Sequence, residues 1–368
     1  MKICVLTSVH PVFDTRIFHK ECRTLEGAGH EVVLVAQHDG DAVVESIAIR
    51  GLRQVQSRAD RFLGTIKAVA RRAFAERADV YHFHDPELIS VGSLLKLRGK
   101  RVVYDVHEDV PQQILGKPWI PALLRRPVGA GAWLAEAGAA RMFDRLVAAT
   151  PRIASRFPSK RTVLVQNYPI LGELHDASSA PFAERPMHLA YVGVLSPERG
   201  GGELGDAMAL LPDRFDARLQ LAGTIWPSTL EDRLRAAPGW GRIDFLGWQN
   251  REQVAALLGR VRCGVVTFLD RPNHVAAQPN KLFEYMSAGL PVIASDFPLW
   301  REIVDGAGCG LLVDPADPRA VAAAITRLLD TPDEAEAMGR RGREAVEKTY
   351  NWGTEAAKLV KMYEDLSP

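Results

Sequence analysis

The chain has 368 residues, 47% of them hydrophobic and 25% charged, an ordinary globular composition with room for two domains of about 100–200 residues each. A net charge of +1 gives no case for nucleic acid, and no run of about 18 apolar residues exists to span a membrane. Residues 1–170 carry about eight excess positive charges and the remainder about seven negative, an asymmetry that suits an anionic partner for the first half. Cys4, Cys22, Cys263 and Cys309 are scattered, with no CxxC and no Cys/His cluster. That excludes a disulfide framework and points to a reducing, cytoplasmic setting. The opening "MKICVLTS" is too short and too polar after Leu6 to serve as a leader.

In chain order, "KICVLTS", "DTRIFHKECRTLEGAG" and "HEVVLVAQ" predict strand, helix and strand, with Ile17, Cys22 and Leu25 on one helical face. "DVYHFHD" and "KRVVYDVHE" are two further buried-type strands around the helical "LISVGSLLKLRG". "RLVAATP" and "KRTVLVQNYP" continue the alternation, which is that of parallel βαβ units. The proline-rich "PILGELHDASSAPFAERP" breaks it and predicts a linker at about 171–186. The alternation then restarts with "HLAYVGVL", "ARLQLAGT", "RIDFLGW", "CGVVTFL" and "CGLLVDP" as strands. The expected organisation is an α/β domain over 1–170, a second over 187–351, and a closing helix over 352–368 that packs back on the first.

Parallel α/β sheets bind ligands at the carboxyl ends of their strands. In the first half those ends are "SVHPVFDTR", "HFHDPE" and "DVHED", which gather histidines and carboxylates. No spacing among them matches a standard metal-ligand pattern, so no metal is expected. In the second half, Gly193 ends a strand, and Arg199 with Gly200–Gly202 precedes a helix. A glycine turn at a helix start offers backbone N–H groups to an anion, and Arg199 adds a full charge. In "QPNKLFEYMSAGLPVIASD", Asn280 is expected to cap a helix and Lys281 falls in its first turn. A cation there works against the helix dipole unless an anion joins it. Glu284 lies one turn on, so the pair has the layout of a diphosphate and a ribose; the plain alternative is a surface i,i+3 salt bridge.

These motifs resemble the family 4 retaining glycosyltransferases of GT-B fold, in the branch that builds bacterial polysaccharides. "YVGVLSPERG", "LAGT", "DFLGW", "PNKLFEYMSAGLPVIASD" and "GLLVDPADPRAVAAAI" carry the resemblance in the second half. "FDTRIFHKECRTLEGAGHEV", "HFHDPELIS" and "VVYDVHED" carry it in the first. The resemblance implies two Rossmann-like parallel-sheet domains facing a cleft, with a nucleotide-sugar donor on the second. Gly193, Arg199, Asn280 and Lys281, with amides near Leu282 and Phe283, would meet the diphosphate. Glu284 would hold the ribose, and Leu246 and Trp248 would lie near the base. His107 would sit beside the donor sugar and act in catalysis with Arg199 and Lys281. His10, Asp14, Arg16, His84 and Glu108 are the acceptor-side candidates.

Three departures stand out. Ala276 replaces the first of two glutamates that many relatives carry, Val194 replaces an arginine, and "SVHPVFD" replaces a glycine pair. The implied reaction is sugar transfer with retention, without a cofactor or an obligatory metal, from a UDP-sugar ahead of a GDP-sugar. The implied acceptor is a glycan, a lipid-linked molecule or a small molecule. The basic, apolar stretches "RFLGTIKAVARRAFAER" and "KPWIPALLRRPVGAGAWLAEAG" suit an anionic membrane surface at the inner face of the cell membrane. A sugar-nucleotide epimerase of the same fold and a non-catalytic sugar-nucleotide binder are the alternatives.

Overall fold

The β-branched runs of the chain are short and apolar on both faces, as strands buried between helix layers must be. A computed structural model of the protein describes residues 1–53, 64–116, 120–174 and 180–366. It divides into two compact units, Met1–Asn167 with Gly353–Pro368, and Tyr168–Trp352.

The first unit is built on β1 (Lys2–Pro11), β2 (Glu31–Gln37), β3 (Ala42–Val44), β4 (Ile47–Leu52), β5 (Val80–Phe83), β6 (Arg101–Val106), β7 (Arg145–Ala148) and β8 (Thr162–Leu164). Their order is β3-β4-β2-β1-β5-β6-β7-β8. Every pairing is parallel except β3 with β4. That hairpin turns at Glu45 and Ser46, both at positive φ, and the apolar alternation of the sequence does not announce it. The helix after β1 begins as a π-wound turn over Thr15–Cys22. Ile17, Cys22 and Leu25 are buried there, as the sequence expects. The closing helix Trp352–Glu364 places Leu359, Met362 and Tyr363 in the interior of this unit, where the Tyr363 hydroxyl lies 2.8 Å from His82 Nδ1.

The second unit carries β9 (His188–Val192), β10 (Arg218–Ala222), β11 (Ile243–Gly247), β12 (Cys263–Val266), β13 (Val292–Ser295) and β14 (Gly310–Val313). All are parallel, in the order β11-β10-β9-β12-β13-β14. This is the doubly wound order, which reverses direction between its first and fourth strands. The described residues of 171–186 belong to this unit, with Leu174 and Phe182 buried in its core. Residues 175–179 of that stretch, and 61–63 and 117–119 of the two basic stretches, lie outside the described residues. All four cysteines are buried free thiols.

Candidate functional site

Each sheet has a switch point where the strand order reverses, and each switch point gathers the polar residues singled out above. In the second unit it lies between β9 and β12. The helix Asn280–Ser287 that follows β12 is fixed there by Tyr285. Its ring covers Gly264, where a Cβ would stand 2.2 Å away, and its hydroxyl accepts the Val192 N–H at 2.9 Å. Lys281 is therefore driven inward instead of into solvent. Its ammonium sits 3.7 Å above the Tyr191 ring and 5.7 Å from the Phe268 ring. It is buried and has no hydrogen-bond acceptor among the described residues. Burial, reinforced by the Arg199 charge, pushes its pKa well below the lysine range; Glu284 opposes this.

Gly193 borders that space at φ +104°, a backbone conformation that calls for glycine, and its Cα hydrogen faces Lys281 Nζ. Arg199 stacks over Phe268 at 5.4 Å and donates to the Val194 carbonyl at 3.0 Å. Two cations thus share one small aromatic-walled space without an anion between them. Glu284 does not form the surface i,i+3 bridge with Lys281. Its Oε1 accepts from Arg251 at 2.7 Å, and Arg251 is held in turn by both oxygens of Glu173 at 2.8 and 2.6 Å.

Several expectations need correction. Asn280 is exposed and is the first helical residue rather than the cap, which is Pro279. The Leu282 amide is not open to a ligand, because it donates to the Pro279 carbonyl at 3.0 Å, and the side chains of Leu282 and Phe283 are core. Most of the glycine turn's amides are spent as well. The Arg199, Gly200 and Gly201 amides donate to Ser196, Pro197 and Ser196 carbonyls. Gly200 is required because a Cβ on it would stand 2.1 Å from the Thr267 carbonyl. Leu246 and Trp248 flank the Gly247 turn at the end of β11, with Trp248 75% exposed.

In the first unit the switch point lies between β1 and β5. Asp85 Oδ2 accepts from Thr7 Oγ1, the Ser8 amide and Ser8 Oγ at 2.8, 2.5 and 3.0 Å. Burial resists its ionisation, but the hydrogen bonds from His10 and Ser8 hold its pKa below the carboxylate range. His10 Nε2 lies 3.3 Å from Asp85 Oδ1 and 3.1 Å from His107 Nε2. His10, His84, His107 and Glu108 border one cavity of about 250 Å³, together with Asp85 and Glu87. Arg16 and Asp14 do not line it. Arg16 is 4% exposed and gives Nε and Nη2 to Asp105 Oδ2 at 3.2 and 2.7 Å. Asp14 caps the π-wound turn, accepting from the Arg16 and Ile17 amides at 2.8 and 3.0 Å.

Sequence spacing misses a buried cluster behind the cavity, in which ligating atoms of Glu21, His82, His84 and Asp105 lie within 4.8 Å of one another. Arg16 already supplies a cation there, with Nε 3.0 Å from Glu21 Oε1. Burial and the nearby Asp105 charge push Glu21 toward its neutral form, while Arg16 overcomes burial and keeps Asp105 ionised. Charge is thus balanced by this chain's own residues. Glu21 escapes a helical-period reading because it stands five residues from Arg16, and only the π winding, with His19 N–H reaching the Asp14 carbonyl, turns both inward. Arg251 carries a signal that was available: like Lys281, it is a cation at the start of a helix.

Two family models match the chain, "Glycosyltransferase Family 4" over residues 15–163 and "Glycosyl transferases group 1" over residues 175–345.

The chain belongs to glycosyltransferase family 4.

This family 4 chain is 31% identical over 170 residues to the MMP alpha-(1->4)-mannosyltransferase of Mycolicibacterium hassiacum, covering 46% of this chain and 40% of that protein. It is 26% identical over 299 residues to the glycogen synthase of Mycobacterium tuberculosis, covering 78% and 69%. Among solved structures, sucrose-phosphate synthase from Thermosynechococcus elongatus superposes with a TM-score of 0.80 at 20% identity, over 99% of this chain and 98% of that one. Anabaena HepE, solved in complex with UDP and glucose, gives 0.76 at 14% identity over 99% and 100%. The fold is the GT-B fold of two Rossmann-like parallel-sheet domains.

Proposed function

We propose that this protein transfers a sugar, with retention of configuration, from a nucleotide-sugar donor to a glycan or lipid-linked acceptor in surface polysaccharide synthesis. The observation that carries this reading is Lys281, a buried ammonium without a hydrogen-bond acceptor among the described residues, held beside Arg199 at the switch point of the second sheet. Two cations forced together in an apolar pocket favour a dianionic ligand; the diphosphate of a nucleotide-sugar donor has that charge and gains one more on leaving. Glu284, one helical turn on and bonded to Arg251, is the proposed acceptor for the ribose hydroxyls. The exposed Trp248 at the end of β11 offers a face for a base. UDP is favoured over GDP by family frequency alone.

The chemistry proposed is front-face substitution. As the glycosidic bond to the diphosphate breaks, negative charge grows on the departing phosphate, and Lys281 and Arg199 neutralise it. The same phosphate takes the proton of the attacking acceptor hydroxyl. These cations fill the role a divalent ion has elsewhere, so transfer is expected to survive chelation.

Membrane contact is proposed through the helix Ala122–Met142. It turns Leu123, Leu124, Val128, Trp133 and Leu134 to solvent beside Arg126, a pattern that suits an anionic bilayer surface. No helix among the described residues is long and apolar enough to cross one.

The test is a thermal-shift screen of the purified chain against UDP- and GDP-sugars, followed by release of free nucleotide from the stabilising donor, with and without chelator. Stabilisation by one donor and chelator-resistant release with an acceptor are expected. Stabilisation without release would leave a binding protein, and an altered nucleotide sugar without transfer would mark an epimerase.

A further inference from the structure

The donor and acceptor roles around the 250 Å³ cavity of the first unit can be assigned by hydrogen-bond arithmetic. Ionised Asp85 is acceptor-only, and its Oδ1 faces His10 Nε2 at 3.3 Å. His10 Nε2 must therefore carry a hydrogen. The same nitrogen lies 3.1 Å from His107 Nε2. Two N–H groups cannot point at each other at that distance, so His107 Nε2 must present its lone pair, and the one hydrogen on His10 Nε2 is shared between that lone pair and Asp85 Oδ1. A neutral imidazole then keeps its hydrogen on Nδ1. That atom lies 3.5 Å from Asp105 Oδ1 without a formed hydrogen bond between them, while Arg16 occupies the other oxygen of the same carboxylate.

We propose that His10 is a positioning residue that holds His107 in its Nδ1–H tautomer, with the His107 Nε2 lone pair turned onto the His10 N–H at the edge of the cavity. The charged groups around the pair agree with this. Asp14, Asp85 and Glu108 face His10, whose pKa burial would lower but these carboxylates raise. Asp105 and His84 face His107. What His107 offers a ligand is then an acceptor, released when a ligand hydroxyl displaces the His10 N–H. With Asp85, Glu87 and Glu108 also on the wall, the cavity favours hydroxyl donors over a phosphate. The inference concerns the first unit alone, and the donor reading can fail without it.

The test uses the full chain labelled with 15N-histidine and long-range 1H–15N correlation spectra. His107 is expected to show a protonated Nδ1 and an unprotonated Nε2. His10→Gln keeps an N–H donor and should preserve that pattern, whereas His10→Ala should give a tautomer mixture at His107. The His10 side chain is a quarter exposed, and melting curves check that both variants fold. A protonated Nε2 on His107 in the wild type overturns the proposal, as does an unchanged Nδ1–H pattern in His10→Ala, which would leave Asp105 alone in control. Should His10→Ala not fold, the wild-type spectrum and His10→Gln still decide.

Discussion

Lys281 is a residue kept at the expense of stability. Burial and Arg199 disfavour its charged form, so folding below its ordinary pKa costs the protein a proton or an unfavourable charge. Lys281→Met should therefore leave the melting temperature unchanged or raise it. That gain should shrink as pH rises from the depressed folded pKa toward the ordinary lysine range, because the unfolded lysine also loses its proton there. Transfer should fall about 10²–10³-fold, the usual cost of losing one such charge stabiliser. A variant that is both less stable and still active would remove the diphosphate reading. Binding of a nucleoside diphosphate should also raise the depressed pKa of Lys281, measurable in calorimetry as a buffer-dependent enthalpy at pH values between the depressed and the ordinary lysine pKa. Glu284→Gln keeps the shape but weakens the acceptor, and a loss of about tenfold or more in donor affinity is expected from a charged hydrogen bond.

At the scale of elements, the π-wound turn Thr15–Cys22 decides where Arg16 and Glu21 point. Asp14 satisfies two amides at its start. Asp14→Ala should cost about 1 kcal/mol, the usual worth of an N-cap, and Asp14→Asn should recover most of it. Denaturant melts of the three chains check this, and equal stability for all three would show that the cap is not in use. The strand-helix-strand alternation was legible because each buried strand is a short apolar run. The β3–β4 hairpin was not, since its first strand is only three residues long and none of them is buried, Val43 being 71% exposed. Asn280 suits an N-cap by residue type, but Pro279 takes that place and Asn280 is left in solvent.

At the scale of the whole molecule, the chain closes its first unit with its last helix. Leu359, Met362 and Tyr363 are almost fully buried there, each worth about 1.5–3 kcal/mol of apolar burial. Glu355 accepts the Gln166 amide at 2.9 Å. Deleting residues 353–368 should unfold or strongly destabilise the first unit while the second still binds nucleotide, read by two separate melting transitions with and without UDP. A single unchanged transition would contradict this. The outward apolar row of Ala122–Met142 predicts flotation with vesicles containing anionic lipid and reduced flotation after Leu123→Ser with Trp133→Ser. No flotation of the wild type would remove the membrane contact.

By itself the sequence determined the two α/β halves, the strand ends that carry polar residues, and the unusual cation of Lys281, because periodicity and helix-end chemistry are local. Only the tertiary structure decided which polar residues meet. Strand order placed β1 beside β5 and β9 beside β12, so residues some 75 or more positions apart, such as Ser8 with Asp85 and Tyr191 with Lys281, became neighbours. It also decided which expected donors were already spent, since an amide bonded within its own turn has nothing left for a ligand. Arg251, Glu173 and Glu21 entered the account for the same reason: a charge partner is fixed by burial and geometry, and chain spacing does not encode either.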